Sequence, residues 1–425
     1  MKEEIVLQYD LIAAMLLFYL YKKCYYLNMR KIIAHIDINQ FFAAATILLE
    51  PELKGKPLII AGDNRRGIVS TASYEARKYG IHSAMPTYQA KKLCPKLVIR
   101  QANFEWYNKK SNEFFEYLKT NYTVLIEPAS IDECYLDLTD VMKDEKNPMN
   151  FLKTMQDNIY NNTLLDVSIG LGPTKFLAKM ASDYKKPKGI TIIRKRDIPK
   201  ILYPLKIKDF FGVGKKSSEK LNDLGIYTIG DFAISDSYEV KKVLGSFYNT
   251  MKEWINGQGD DFVNPNPFDP KSISSSTTFL NNTNDYEEIR EYIEKRAREV
   301  SQNAQKENKI GKTITLVLKD ENFHQITRSI TIDKPTNSFI DIYTNSINLF
   351  DKYFNNQTFR LVGVGLSQLI NKEDFYVQVS LFDQEKNIKE CKSKLLVNKL
   401  NRKANKDVFI LASNFKNKEG KKNEI

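Results

Sequence analysis

HIDINQFFAAA (35–45) and IEPASIDECYLDLTD (126–140) are the stretches on which the reading of this 425-residue chain turns. The first continues a strand over 32–38, and Asp37 stands near its end among neighbours that are almost all apolar. A desolvated, unpaired carboxylate is prohibitively costly, so Asp37 is expected to be paired or to hold a metal. The second carries a hairpin signal: a strand over 122–127, a turn around Pro128, then a strand over 133–138. Asp132 and Glu133 are adjacent at its tip. On a regular strand they would point to opposite faces, whereas in a turn both can converge on one point. Three carboxylates on neighbouring strands repel unless cations sit between them, and hard oxygen ligands of this kind suit Mg²⁺. Two such ions roughly 3.5–4 Å apart can activate a hydroxyl and stabilise the leaving oxygen in phosphoryl transfer. Read alone, the same residues also fit a capping Asp37 and a turn-forming Asp132.

Outward from these stretches, 41–49 reads as a helix and 57–61 as a strand, which opens a segment rich in small and basic residues running to about 101. A helix with a Phe/Tyr/Leu stripe is expected over 106–121, a strand over 167–171 and a helix over 174–183. This is a mixed α/β domain interrupted by a smaller inserted one. Residues 202–254 read as short helices punctuated by glycines, and Asn264-Pro265-Asn266-Pro267 with Asp269-Pro270 as a linker. Beyond it come strand 272–280, helix 286–307, strands 313–320 and 325–332, helix 339–354 and strand 359–369. That order is βαββαβ, a sheet with two helices on one face, and the expected class is multidomain α+β.

The length suits about three domains. With 42% apolar and 27% charged residues the chain is ordinarily globular, which excludes wholesale disorder. No run of eighteen apolar residues occurs, which argues against an integral membrane protein. The apolar stretch 11–21 is short for a span and lacks a basic leader and a cleavage site. Met29 is the expected natural start and 1–28 an extension, a membrane tether being its alternative reading. Cys24, Cys94, Cys134 and Cys391 lie far apart, with no zinc or disulfide spacing, so a reducing, cytoplasmic compartment is expected. The net charge of +12 favours a polyanionic partner. Half of it comes from the tail, where 383–425 hold twelve Lys/Arg against six Asp/Glu.

Two basic stretches supply phosphate donors. In STASYEARKYGIHSAMP (70–86), Tyr74 and Arg77 are three apart and share a helix face. Lys185-Lys186-Pro187-Lys188-Gly189 is a basic turn. Arg offers a fork and Lys a point charge to a triphosphate, although solvated basic surface would look the same.

Together with SIGLGPTKFLAKMASDYKKPKGI (168–190) and FFGVGKKSSEKLNDLGIYTIGD (210–231), these stretches resemble the Y family of DNA polymerases, specifically its bacterial DNA polymerase IV branch. They stand in the family's order and cover most of 30–260. The resemblance implies a right-hand polymerase: mixed α/β palm (29–49 and 106–199), small fingers (50–105), helical thumb with a helix–hairpin–helix (200–263), linker (264–271), βαββαβ little finger (272–372) and basic tail (373–425). It implies a low-fidelity, translesion, DNA-directed DNA polymerase without proofreading, acting as a monomer on primer–template DNA and dNTPs with two Mg²⁺, Mn²⁺ being able to substitute. Asp37, Asp132 and Glu133 match the catalytic metal ligands, with the Ile38 carbonyl beside them. Phe42 matches the steric gate, which rejects a ribose 2′-hydroxyl by conflict. Thr71, Tyr74, Arg77 and Lys186 match the triphosphate holders, assisted by the backbone N–H groups of Phe41 and Phe42. Asn39 and Gln40 stand where the branch usually has a second Asp and a small residue, a subfamily marker bearing on substrate handling. Cys134 reads as a small packed residue.

Gly212-Val213-Gly214-Lys215-Lys216 ahead of a helix looks like the hairpin that grips a DNA phosphate, its glycines allowing close backbone approach. In the βαββαβ unit, Ile314, Leu316 and Leu318 share one strand face and Thr313, Thr315 and Lys319 the other. Gln325, Thr327, Ser329 and Thr331 form a second polar row, and Arg328 is expected among the DNA contacts as well. Gln378-Val379-Ser380-Leu381-Phe382 resembles a sliding-clamp peptide, Gln378 fixing polarity and Leu381 and Phe382 filling an apolar pocket. A non-catalytic DNA-binding relative would lose the carboxylates, and a metal-dependent nuclease would not need Phe42 or the Tyr74/Arg77 pair.

Overall fold

In the computed structural model, which describes residues 31–375 apart from Asp63 and Pro267, the strand ending in Asp37 lies at the centre of a sheet. The first of two units, ending at Phe268, begins β1 (Ile33–Ile38), α1 (Phe41–Leu49), β2 (Leu58–Ala61), β3 (Val69–Ala72), α2 (Tyr74–Arg77), α3 (Thr87–Leu93), β4 (Val98–Arg100) and α4 (Phe104–Asn121). It continues β5 (Ile126–Pro128), β6 (Glu133–Asp137), α5 (Pro148–Thr163), β7 (Val167–Gly172), α6 (Lys175–Tyr184) and β8 (Ile190–Ile192). The larger sheet has the order β5-β6-β1-β7-β8, with β1 antiparallel to both neighbours.

Alternation along β1 assigns its two faces. Ala34, Ile36 and Ile38 meet Tyr107 and Phe114 of α4 and Leu152 and Ile159 of α5 in one core. His35 and Asp37 point the other way, toward α6. That helix lies unusually close to the sheet because β7 carries Gly170, where a Cβ would fall 2.1 Å from the Ala178 carbonyl oxygen and 2.2 Å from the Ser182 nitrogen. Any larger residue would push α6, and Lys179 with it, off the strand ends.

Strands β3-β2-β4 form a separate small sheet with its own core of Ile59, Val69, Ala72 and Ile81. Five short helices follow: α7 (Ile198–Ile201), α8 (Lys215–Asp223), α9 (Ile229–Ile234), α10 (Tyr238–Leu244) and α11 (Phe247–Ile255). They pack around Phe210, Leu221, Phe232 and Met251.

The second unit starts at Asp269 and runs β9 (Ser272–Thr283), α12 (Tyr286–Lys306), β10 (Lys309–Asp320), β11 (Gln325–Thr336), α13 (Phe339–Tyr353) and β12 (Phe359–Asn371). Its antiparallel sheet has the order β11-β10-β12-β9, and both helices pack on the face of Ile314, Leu316, Leu318, Val362 and Val364.

The strand expected over 122–127 is confined to Ile126–Pro128. Tyr122 closes α4 by donating its N–H to the Leu118 carbonyl, and the Thr123 hydroxyl accepts from the Leu125 N–H in a turn. The β-branched and aromatic run there serves a helix end. Residues 1–28 with Met29, the tail beyond Phe375, Cys24, Cys391 and the Gln378/Leu381/Phe382 peptide lie outside the described residues. Among the described residues no helix is long and apolar enough to cross a membrane.

Candidate active site

Two backbone registrations gather the acidic residues. Asp37 on β1 stands directly opposite Glu133 on β6. The Ile38 N–H donates to the Asp132 carbonyl at 2.9 Å, which pins the hairpin tip to the end of β1. Asp132 and Asp37 thereby open on one cleft with Ile38, and Thr71, Tyr74, Arg77 and Lys186 border the same cleft.

The chain's own cations neutralise part of this cluster. Lys179 Nζ lies 2.6 Å from Glu133 Oε2 and 3.5 Å from both Asp37 Oδ2 and Asp183 Oδ2. Lys186 Nζ lies 2.7 Å from Asp37 Oδ2 and 2.7 Å from Asp183 Oδ1. Asp132 turns its carboxylate to the Ser130 hydroxyl, which donates at 2.6 Å. Among the described residues, therefore, no three carboxylates already close on one point as metal ligands.

Burial raises the Asp132 pKa, with repulsion from Asp37 adding to it and the Ser130 bond opposing it. Glu133 is likewise raised by burial, against the pull of the Lys179 ammonium. Burial alone would lower Lys179, but Asp183, Glu133 and Asp37 outweigh it and hold the ammonium charged. The hard carboxylate oxygens of Asp37 and Asp132 on one cleft, where Asp37 already draws two ammonium groups, are of the kind that suits a hard divalent cation.

His35, fully buried on β1, places Nδ1 2.8 Å from the Ser182 hydroxyl and Nε2 3.6 Å from Glu133 Oε2. Burial, reinforced by Lys179 and Lys186, lowers its pKa and keeps the ring neutral. Cys134 is fully buried, and burial pushes its thiol pKa well up, as suits a packed residue.

Beside the cleft, the Phe42 ring lies flat on the Tyr107 ring, 4.6 Å between centroids at 12°, with the edge of Phe104 at 5.8 Å. Tyr107 is itself fixed, its hydroxyl 2.8 Å from Thr46 Oγ1, which donates onward to the Phe42 carbonyl at 2.7 Å. Phe41 and Phe42 open α1, so their N–H groups have no preceding turn of helix to bond to. Across the cleft, Ser73 caps α2, and Arg77 lays its guanidinium 5.0 Å from the Tyr74 ring centre while Nε donates to the Ala72 carbonyl at 3.0 Å. Asn39 accepts the Lys188 N–H at 2.7 Å and donates to Ser168 Oγ at 2.8 Å, so it anchors the basic turn that carries Lys186.

Two further surfaces carry polar groups suited to a nucleic-acid backbone. Gly212 has φ +91°, and a Cβ there would meet the Phe247 ring at 2.6 Å, so this turn requires glycine. Gly214 caps α8 in open space, Lys215 and Lys216 are exposed, and the Val213 side chain is packed inward. In the second unit Thr313 pairs with Thr331 at 3.0 Å and Thr315 with Ser329 at 2.9 Å, on the face away from the helices that Lys319 and Thr327 share. Arg328 lies off this polar row. It stands opposite Leu316, on the helix side, with its guanidinium 4.6 Å from the Tyr353 ring centre. The period of two sends it there, away from the polar row.

Residues 36–183 match the impB/mucB/samB family, 270–381 that family's C-terminal domain, and 195–226 the IMS family HHH motif. The chain is 37% identical over 394 residues to DNA polymerase IV of Bacillus velezensis, covering 92% of this chain and 95% of the relative. It is 38% identical to DNA polymerase IV 1 of Bacillus subtilis with the same coverage. The chain belongs to the Y family of DNA polymerases, in its DNA polymerase IV branch. Among solved structures, a Y-family DNA polymerase chimera containing Dbh superposes with a TM-score of 0.72 at 27% identity, over 80% of this chain and 99% of that one. The insertion ternary complex of Dbh DNA polymerase gives 0.56 at 26%, with the same coverage.

Within this Y-family fold, sequence reasoning passed over Lys179, His35, Asp183 and Tyr107. The i, i+4 spacing of Lys179 and Asp183 was a usable signal; the stacking of Tyr107 on Phe42, distant in sequence, was not. Tyr107→Ala is expected to free the Phe42 ring and weaken discrimination between dNTPs and rNTPs about tenfold, half of a roughly 3 kcal/mol steric penalty. Tyr107→Phe, which keeps the ring, should retain it. Competitive insertion of the two sugars checks both variants.

Proposed function

We propose that this chain copies damaged DNA, extending a primer 3′-hydroxyl with dNTPs at the Asp37/Asp132/Glu133 cluster. The observation that carries the reading is that Asp37 and Asp132 share one cleft with Thr71, Tyr74, Arg77 and Lys186, with Glu133 directly opposite Asp37 on the neighbouring strand. Asp37, Asp132 and Glu133, with the Ile38 carbonyl, would hold two Mg²⁺, or Mn²⁺ in their place. Bound there, the ions supply activation of the attacking hydroxyl and stabilisation of the leaving oxygen. Lys186 and Arg77 bind the triphosphate, Tyr74 and Thr71 orient it, and Phe42 lies against the sugar.

The larger sheet with its helices serves as palm, the small sheet as fingers, α7–α11 as thumb and the second unit as little finger. Gly212, Gly214, Lys215 and Lys216 grip one stretch of primer–template backbone. Thr315, Lys319, Thr327 and Ser329 track another, without reading sequence. Lys215→Ala with Lys216→Ala should weaken primer–template binding and flatten its log–log salt dependence by about 0.9 per lost phosphate contact, as read by anisotropy titrations in a salt series. Gln378, Leu381 and Phe382 dock a sliding clamp, and the protein works as a monomer in the cytoplasm.

The test is primer extension on undamaged and abasic templates with Mg²⁺ and either dNTPs or rNTPs. Extension on both templates with dNTPs alone is expected. Extension that stops before the abasic site would remove the translesion role, and none at all, despite tight DNA binding, would remove the enzyme.

A further inference from the structure

Gln40 does work at this cleft that neither its position in the chain nor the family resemblance assigns. It sits between β1 and α1 with φ 48° and ψ 43°, a left-handed conformation uncommon for a residue with a side chain. From there its carboxamide reaches across the cleft, and Oε1 accepts the Tyr74 N–H at 2.6 Å. Tyr74 is the first residue of α2, and its N–H has no acceptor within that helix. Ser73 takes the Ala76 N–H at 3.2 Å, so Gln40 and Ser73 divide the open donors of this turn.

The bond spans two parts that also share packing, since Leu58 and Ile60 of β2 lie in the core that holds Phe41 and Ala45. The small sheet bearing Tyr74 and Arg77 has its own core. At its far side Arg100 of β4 grips Glu50 beyond α1, with Nε 2.8 Å from Oε2. On the cleft side the Gln40–Tyr74 bond makes the corresponding tie. Gln40 is also one residue from Phe41 and two from Phe42, so a single short segment sets both the sugar gate and the distance to the triphosphate cradle.

We propose that Gln40 is a positioning residue for the incoming nucleotide, a strut whose carboxamide oxygen holds Tyr74 and Arg77 at a fixed distance from Phe42. This rests on the polymerase reading of the cleft. Without the strut β2 stays packed, but the Tyr74 end of α2 loses its tie across the cleft and samples positions in which the phosphate donors are misplaced, so that a nucleotide must select the competent one. That reduces apparent affinity by the competent fraction. The chemical step, once the nucleotide is seated, is unchanged.

The test compares Gln40→Ala and Gln40→Met with the intact protein. Methionine keeps the length of the side chain and loses the acceptor. Steady-state single-nucleotide insertion gives KM and kcat, and dNTP titration onto a dideoxy-terminated primer complex gives affinity where no bond can form. Both variants are expected to raise the dNTP KM and Kd about three- to tenfold, the range for one lost hydrogen bond, with kcat within twofold. If Gln40→Met matches the intact protein while Gln40→Ala is impaired, bulk rather than the hydrogen bond positions the fingers, and the strut is overturned. It is equally overturned if both keep the intact KM and Kd, or lose kcat at constant KM. An intact protein that inserts nothing would sink the polymerase reading instead, while the titration still decides the strut.

Discussion

Phe42→Val is expected to raise ribonucleotide insertion relative to deoxynucleotide insertion about a hundredfold. The ring cannot yield to a 2′-hydroxyl, because Tyr107 lies flat against it at 4.6 Å and Phe104 abuts it edge-on at 5.8 Å. Forcing extra atoms against a packed ring typically costs about 1–3 kcal/mol, and the upper end of that range is roughly a hundredfold in rate. Valine removes the obstructing ring and leaves the backbone N–H groups of α1 in place, so dNTP insertion should fall less than tenfold. The measurement is kcat/KM for matched dNTP and rNTP pairs opposite the same template base. An unchanged ratio would mean that another group selects the sugar.

Asp37→Asn should lower single-turnover insertion by about a thousandfold or more. Asp37 is 8% exposed and faces both lysines. Asparagine keeps its size and removes the anionic oxygen that a divalent cation would need. Metal stabilisation of a developing oxyanion is worth several kcal/mol, and each 1.36 kcal/mol is tenfold. The fold should survive the change, because Lys179 keeps Glu133 and Asp183, and Lys186 keeps Asp183. Primer–template affinity by anisotropy and the melting temperature are accordingly expected to stay near those of the intact protein. A slowed reaction with both preserved places the defect in chemistry; full activity would remove Asp37 from the site.

Much of this was legible in the chain because local periodicity carried it. The alternation in β10 separated Ile314, Leu316 and Leu318 from Thr313 and Thr315, and the strand–turn–strand around Asp132 placed two carboxylates at a tip. The expected βαββαβ order follows from patterns a few residues long. What was not legible depended on partners distant in sequence. Nothing local in the chain marks Lys179 as buried, yet it is 8% exposed because Gly170 lets α6 settle onto the sheet beneath it. Tyr107 belongs to an aromatic stripe, and nothing local says that it braces Phe42. The run 122–126 has strand composition, but the preceding helix claims Tyr122. Arg328 stands off the polar row because the register sets it opposite Leu316, a pairing that lies on the partner strand. Asn39 and Gln40 stood out only as departures; the bonds to Lys188 and Tyr74 give each a physical task.

The most direct test of the central claim is single-nucleotide extension by the intact protein beside an Asp132→Ala, Glu133→Ala double variant, with primer–template binding measured on both. Extension by the intact protein alone, at equal DNA affinity, is the predicted result. Equal extension by both, or binding without extension by either, would contradict a polymerase built on these carboxylates.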